Sequence, residues 1–289
     1  LKANNIGRKV KDVKKAIRLL RLAGFKIHGH WMPSLYKATV DSDIADYKKL
    51  WRPAFSPDEL KIYPTSIVPN TYLYTLYKKK MYEPYSEDEL LEVLVSVMPS
   101  TPRYCRLSRI IRDIPSEEIV AGNKKTNLRQ IAEKEIEERG LKLQEIRSRE
   151  IQDSSVTMKD LEMEIINYKS SIGKEVFISF KTKKTDKICG FLRLCLPNFF
   201  YKRFNYIEEL RDSSIIREVH VYGKVMSLTE DSSGQSQHLG LGKKLIQKAE
   251  EISRENRFKN ISVISAIGTR EYYKARGYDK VELYMKKRL

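Results

Sequence analysis

The sequence lacks the features that mark several large classes of protein. No apolar run approaches the roughly 18 residues that a membrane-spanning helix needs. The first residues, LKANNIGRKVKD, contain no apolar signal core. The chain also does not begin with Met, so we expect it to be part of a longer protein. These absences argue against a membrane protein and against a secretory precursor.

Cysteine and histidine are scarce as well. The chain has three cysteines and no CxxC pair, which argues against a disulfide framework and fits a reducing, cytoplasmic compartment. The four histidines are dispersed along the sequence, so we predict no metal site from this chain alone. The residues are Cys105, Cys189, Cys195, His28, His30, His220 and His238.

Acidic residues are outnumbered by basic ones. The 289 residues include 55 Lys plus Arg and 38 Asp plus Glu, which gives a net charge of +17 at pH 7. A charge this large favours a polyanionic partner, most often nucleic acid. Composition alone leaves a basic protein without such a partner as an equal alternative. The 41% hydrophobic content predicts a globular chain, and the length predicts two or three structural units.

Residues 1–98 predict helices that alternate with strands. In order, the predicted elements are a helix over 9–23, a strand over 25–32, a helix over 41–51, a strand over 60–63 and helices over 71–80 and 86–98. This alternation indicates βα units and a parallel sheet or barrel. Because two strands cannot close a barrel, we predict the end of a larger one.

Residues 99–155 form a basic segment that predicts RNA binding. Between Arg103 and Arg129 there are seven basic and three acidic residues. A loop of amines beside a helix start suits an RNA backbone, and Tyr104 is a candidate to stack on a base. The candidates for RNA contact are Arg103, Arg106, Arg109, Arg112, Lys124, Lys125 and Arg129. Structural ion pairing is the competing interpretation. The alternation over 141–151 predicts an edge strand.

Residues 156–289 predict a mixed α/β unit. The predicted elements are strands over 161–168, 175–182, 187–196 and 214–222, a Gly-rich loop over 234–242, a helix to about 256, a strand over 261–265, a helix over 269–276 and a last strand over 281–286. In the loop Gln237-His238-Leu239-Gly240-Leu241-Gly242-Lys243, glycines two apart let the backbone approach a ligand closely. The helix start adds unpaired N–H groups, which predicts a pyrophosphate site, although the glycines alone are a weak signal.

This loop, the preceding REVHV and the later YYKARGY together resemble the GNAT acetyltransferases. The resemblance implies that Gln237–Lys243 holds the pyrophosphate of acetyl-CoA. It also implies that the strand at Val219, His220 and Val221 admits the pantetheine arm. It further gives Tyr273, with Tyr272 beside it, the role of protonating the leaving thiolate, as a phenol can do at pH 7. Core packing of both tyrosines is the alternative.

Stretches along nearly the whole chain resemble the catalytic subunit family of Elongator. They include HWMPSLYKATVDSD, SRIIRDIPSEEIVAGNKKTNLRQ, SSIIREVHVYGKV and ISVISAIGTREYYKARGYDK. These stretches resemble single-chain bacterial members more than eukaryotic ones. The resemblance implies the end of a radical-SAM, TIM-like barrel over 1–98, a tRNA-binding linker over 99–155 and a GNAT domain over 156–289. It implies modification of the wobble uridine, with the anticodon arm of tRNA as partner and acetyl-CoA as source of the 5-carboxymethyl group.

The sequence departs from that family in one respect, and two other functions stay open. The three-Cys iron–sulfur motif is absent, so either an N-terminal part is missing or the chain has lost radical chemistry. We favour a missing part, and we expect S-adenosylmethionine and a 4Fe-4S cluster only with it. One alternative is a protein lysine acetyltransferase with Glu218 as general base, which the basic charge disfavours. The other is a non-catalytic tRNA-binding scaffold.

Overall fold

The computed structural model describes residues 2–4, 6–110, 114–152, 156–222 and 240–289. Its contacts divide the chain into two units, the first formed by 1–15 and 27–148 and the second by 16–26 and 149–289. This division differs from the predicted boundaries at 98 and 155, because most of the basic segment joins the first unit. Among the described residues, no helix is long and apolar enough to cross a membrane.

The first unit contains a three-stranded parallel sheet with helices packed on it. Its strands, β1 (His28–Trp31), β2 (Glu59–Ile62) and β3 (Arg106–Ile110), lie in the order β1-β2-β3. The helices are α1 (Val10–Leu22), which passes into the second unit from Ala16 on, α2 (Val40–Lys49), α3 (Tyr72–Lys78), α4 (Glu87–Val97), α5 (Leu128–Glu138) and α6 (Ile146–Arg149). The α/β alternation over 1–98 is confirmed. The strand predicted over 141–151 is wrong, since that stretch is a loop and the short α6.

Thr39 and Ser86 show why α2 and α4 start where they do. Each is a helix N-cap whose side chain accepts a hydrogen bond from the backbone N–H of the N3 residue, Ser42 in α2 and Glu89 in α4. The side chain of that N3 residue in turn accepts a hydrogen bond from the backbone N–H of the N-cap residue. The buried face of α4 carries Leu90, Val93 and Leu94. α2 packs on α4 and contacts the sheet through Tyr47, whose ring lies 4.8 Å from that of Trp31 on β1. Leu60, Ile62 and Leu107 of the sheet are almost fully buried.

The second unit contains a mixed sheet in the order β4-β5-β6-β7-β8-β10-β9. Its strands are β4 (Leu161–Lys169), β5 (Gly173–Thr182), β6 (Ile188–Pro197), β7 (Ser213–Val221), β8 (Asn260–Val263), β9 (Asp279–Lys280) and β10 (Met285–Arg288). The helices are α7 (Phe199–Arg203), α8 (Leu241–Glu255) and α9 (Arg270–Lys274). β7 and β8 pair in parallel and the other neighbours are antiparallel. The predicted mixed α/β unit is confirmed, with α8 burying Leu245, Ile246 and Ala249 against the sheet.

β7 and β8 pair over only part of their length. The parallel register runs from Ser213, opposite Asn260, to Ile216, opposite Val263, where β8 ends. β7 continues to Val221, paired only with β6 on its other side. The register between β6 and β7 also shifts near Arg193, which adds a local kink. The second half of β7 therefore faces an opening beside β8.

Candidate functional site

A cavity of about 490 Å³ lies at this opening. Its wall combines the end of β7, the start of α8 and the segment around α9. The lining residues are Val219, Val221, Gly240, Leu241, Gly242, Lys243, Thr269, Tyr272, Tyr273 and Arg276. The described part of the predicted loop, Gly240–Lys243, therefore meets Val219, Val221 and both predicted tyrosines at one place.

The start of α8 has the geometry that the glycines predict. Gly240 is the N-cap residue in the left-handed region, at φ 64°, which favours glycine. A Cβ on Gly242 would lie 2.7 Å from the Tyr272 hydroxyl, so the tyrosine approaches the helix start closely. Lys243 and Lys244 are exposed in the first turn. The α8 N-terminus thus offers N–H groups and positive charge to an anion in the cavity.

The two tyrosines of α9 have different surroundings. Tyr273 is buried, with its ring 5.6 Å from that of Tyr278, and burial raises the pKa of its phenol to about 12. Tyr272 is 37% exposed. The Arg276 guanidinium lies 3.3 Å from the centre of the Tyr272 ring and also donates a hydrogen bond to its carbonyl oxygen. Both tyrosines line the cavity, Tyr273 with a phenol that stays protonated at neutral pH and Tyr272 with a ring that contacts Arg276.

Some predicted cofactor-binding residues do not line this cavity. Gln237, His238 and Leu239 lie outside the described residues. His220 is not among the lining residues, and its ring lies 4.3 Å from that of Tyr222 and 5.7 Å from that of Phe191. Because side chains alternate along a strand, His220 points away from the face of Val219 and Val221.

Glu218, the candidate base, is held in ion pairs. Its carboxylate accepts from Arg193 Nε at 2.8 Å and from Lys26 Nζ at 3.1 Å. Burial by itself raises the pKa of Glu218, but the charges of Arg193 and Lys26 outweigh it and hold the pKa below its usual value. A carboxylate with a lowered pKa is a weak general base.

Within the basic segment, Arg129 is directed inward. Its guanidinium donates to the Leu107 carbonyl oxygen at 2.7 Å, to Glu133 at 2.7 Å and to the buried Glu145 at 2.9 Å. Glu145 in turn accepts from the backbone N–H groups of Leu107 and Arg147. For Arg129, ion pairing within the fold fits this geometry better than RNA contact.

The other RNA-binding candidates lie at or near the surface. Arg109 and Lys124 are exposed, Arg103 and Arg106 are half-buried, and Lys125 forms an ion pair of 2.5 Å with Glu87. Arg112 lies outside the described residues. Tyr104 is 6% exposed, so the idea that it stacks on a base is wrong.

Comparison with known proteins places this arrangement in a family. A family model described as the Radical_SAM C-terminal domain matches residues 57–138. The tRNA uridine(34) acetyltransferase of Methanocaldococcus infernus is 37% identical over all of this chain and 55% of its own length. Human Elongator complex protein 3 is 35% identical over 99% of this chain and 53% of its own length. The solved structure of archaeal Methanocaldococcus infernus Elp3 with an N-terminal deletion of residues 1–46 matches with a TM-score of 0.88. That match has 36% identity and covers all of this chain and 69% of that one.

The chain belongs to the Elongator complex protein 3 family. It spans about half the length of the curated relatives that it matches. The predicted resemblance to this family is therefore confirmed.

The cysteines of this family member do not fit an iron–sulfur cluster. All three are buried free thiols, and Cys105 lies in a different unit from Cys189 and Cys195. Burial raises the pKa of Cys189 to about 11, which disfavours the thiolate that a cluster needs. Among the described residues, no group of three metal-ligating side chains comes together. These three cysteines are therefore core residues of their units and not cluster ligands.

The inward position of Arg129 gives a prediction about stability. Arg129→Ala leaves the carboxylate of Glu145 buried without its cation, so we expect the free energy of unfolding to fall by about 3–5 kcal/mol. Urea denaturation of the wild type and the variant measures this change. Arg139→Ala is the matched control, because Arg139 pairs with Glu92 and Glu135 at the surface. Equal effects of the two substitutions would contradict the buried role of Arg129.

Proposed function

We propose that this chain is the acetyl-CoA-using part of a tRNA-modifying enzyme that acts on the wobble uridine. Its second unit is a GNAT-type acetyltransferase domain, and its acetyl group leads to 5-carboxymethyluridine. The observation that carries the proposal is the convergence of the divergent β7 strand, the glycine-started α8 and Tyr273 on one cavity. Membership of the Elongator complex protein 3 family, whose archaeal relatives are named tRNA uridine(34) acetyltransferases, supports the substrate class.

Acetyl-CoA fits the cavity by the chemistry of its walls. The pyrophosphate takes the N–H groups at Gly242 and Lys243, where the helix dipole favours negative charge. The pantetheine arm follows the free edge of β7 at Val219 and Val221, where backbone groups have no β8 partner among the described residues. A side chain on Gly242 would meet the Tyr272 hydroxyl, at 2.7 Å from its Cβ, so this hydroxyl would have to move.

Tyr273 supplies the proton when the thioester is cleaved. A nucleophile, which is water when only CoA release is measured, forms a bond to the carbonyl carbon of the thioester. The C–S bond then breaks with its electron pair on sulfur, and the sulfur takes the proton of the Tyr273 hydroxyl. The proton that the nucleophile gives up restores the phenol. With its pKa raised to about 12, the phenol carries its proton at neutral pH, so the donor is present in its acid form. Tyr272, whose ring is held by Arg276, positions the thioester end of the arm. Any S-adenosylmethionine chemistry is assigned to residues outside this chain.

The basic segment holds the tRNA in this proposal. Arg109 on β3 is register partner of Lys61 on β2, so two cations lie side by side on the sheet. The turn before α5 is closed by Asn123, which binds the backbone of Lys125. It presents Lys124 and Lys125 at the surface, where they can contact phosphates. With Arg103 and Arg106 these residues are the proposed RNA-binding set.

A protein lysine acetyltransferase is disfavoured. That reaction needs a general base, and the ion pairs of Glu218 hold its pKa low. The net charge of +17 also repels lysine-rich substrates.

The test is the release of free CoA from acetyl-CoA by the full chain, with and without tRNA carrying an unmodified wobble uridine. Release that rises with tRNA supports the proposal. Release that ignores tRNA and follows lysine peptides would replace it with a protein acetyltransferase. Acetyl-CoA binding without release in either case would point to a scaffold.

Charge reversal in the turn before α5 tests the RNA part separately. Lys124→Glu with Lys125→Glu places two carboxylates against the phosphates, so we expect tRNA affinity to fall at least about tenfold at physiological salt. Acetyl-CoA affinity stays unchanged, because that cavity belongs to the other unit. Filter binding and calorimetry measure the two affinities. Lys134→Glu with Lys142→Glu, at two exposed lysines outside the proposed RNA-binding set, is the charge-matched control. Parallel loss of both affinities would indicate misfolding.

A further inference from the structure

Three phenylalanines of the second unit are exposed to an unusual degree. Phe199 is 78% exposed, Phe200 is 60% exposed and Phe204 is 61% exposed. We call these three residues the aromatic patch. The Phe200 and Phe204 rings lie 5.4 Å apart, so two of the rings form one surface. Clustered exposed apolar side chains, unlike scattered ones, mark a binding surface.

The backbone under the patch is fixed at both ends. Before α7, Asn198 accepts a hydrogen bond from the Tyr201 N–H. After α7, Asn205 donates to the Leu22 carbonyl oxygen at 3.0 Å, and Tyr206 donates to that of Leu19 at 3.0 Å. The patch is therefore presented on an ordered turn, which lowers the entropic cost of binding a partner.

The charge around the patch is positive. Among the described residues, Arg203, Lys169 and Lys174 make no ion pair. Lys169 and Lys174 are direct register partners at the end of the β4–β5 hairpin, and Lys174 also pairs with Leu196, shortly before α7 begins. Like charges directly opposite on neighbouring strands destabilise a sheet, and a bound anion removes that repulsion.

Three of the nearby carboxylates have partners of their own. Glu208 pairs with Arg211 at 2.8 Å, and Glu209 accepts a hydrogen bond from the Leu283 N–H at 3.1 Å. Glu175 is buried with Arg217. They leave the cations beside the patch available to an external anion.

We propose that the aromatic patch stacks on unpaired bases of RNA while Arg203, Lys169 and Lys174 contact the neighbouring phosphates. Exposed aromatic rings beside cations are the combination that single-stranded RNA requires, since every base has a π-face and every phosphate a charge. This inference rests on the proposed function and adds a second RNA contact, in a different unit from the basic segment.

The test compares Phe200→Ala/Phe204→Ala, Phe200→Leu/Phe204→Leu and Phe200→Trp/Phe204→Trp in the full chain. The probes are an RNA stem-loop with an unpaired loop and a fully paired RNA duplex of equal charge. We expect the Ala and Leu variants to bind the stem-loop about 5- to 100-fold more weakly, because both lose stacking, and the Trp variant to keep wild-type affinity. Duplex affinity and acetyl-CoA affinity stay unchanged. Lys174→Ala lowers the salt dependence of stem-loop binding by about one unit of slope.

The outcomes separate this inference from the proposed function. A Leu variant that binds the stem-loop like wild type would show that apolar area and not stacking matters, and would overturn the inference. Equal losses of affinity for stem-loop and duplex would also overturn the inference. So would a loss of affinity for vesicles of anionic phospholipid with RNA affinity unchanged. If wild type binds and modifies tRNA and all patch variants match it, the patch is excluded and the proposed function stands. If wild type binds neither RNA, both fail.

Discussion

Gly242→Glu is expected to lower the affinity for acetyl-CoA at least about 100-fold. The substitution puts a carboxylate among the N–H groups at the start of α8, where the pyrophosphate is proposed to lie. It replaces charge-assisted hydrogen bonds with repulsion between like charges. Losing one or two such bonds corresponds to about 2.7 kcal/mol, or two powers of ten. Isothermal titration calorimetry with the full chain measures the change.

A smaller substitution separates the steric effect from the effect of charge. In Gly242→Ala the new methyl group would meet only the Tyr272 hydroxyl, at 2.7 Å, and the next contacts are at 3.8 Å. We expect a smaller loss of affinity, which Tyr272→Phe in the same chain restores by removing that hydroxyl. Gly268→Ala is the control, since nothing lies within 4 Å of a Cβ there. Unchanged affinity in Gly242→Glu would remove the pyrophosphate assignment.

The local pattern of the second unit is sufficient to predict most of its elements. In α8, the apolar spacing of Leu245, Ile246 and Ala249 predicts the face that the structure buries. Short apolar runs between turns predict the β5 and β6 strands, and the structure buries both faces of these strands over most of their length. Gly240 and Gly242 predict the start of α8. Gly240 has a left-handed φ and Gly242 is closely approached by Tyr272, and both situations favour glycine.

Contacts between distant parts of the sequence explain what local pattern does not predict. No local feature of the sequence separates Arg129 from the other arginines of the basic segment. Only the buried Glu145, which has no local signal of its own, decides its role. The sequence places residues 16–26 in the N-terminal unit, but in the structure they belong to the second unit. There the Arg217 guanidinium donates to the Phe25 carbonyl oxygen and, with Arg21, surrounds the buried Glu175. Such networks depend on which strands become neighbours.

Tyr273→Phe is expected to lower tRNA-stimulated CoA release about 100-fold or more and to leave acetyl-CoA affinity unchanged. General acids contribute factors of roughly 10² to 10⁴, and phenylalanine keeps the ring while removing the proton donor. The ring packing against Tyr278 is retained, so the fold is preserved. Single-turnover CoA release measures the loss, and Tyr284→Phe is the control, because that hydroxyl donates to the Ala23 carbonyl oxygen, away from the cavity-lining residues.

The pH dependence of the same reaction identifies the acid. Burial raises the pKa of Tyr273 to about 12, so the phenol keeps its proton until the pH approaches that value. An ordinary tyrosine is already half deprotonated at its own pKa of about 10. We therefore expect wild-type CoA release to show no alkaline decline between roughly pH 8 and 10. Loss of CoA release in Tyr272→Phe, with release by Tyr273→Phe unchanged, would move the role of the acid from the buried tyrosine to its exposed neighbour.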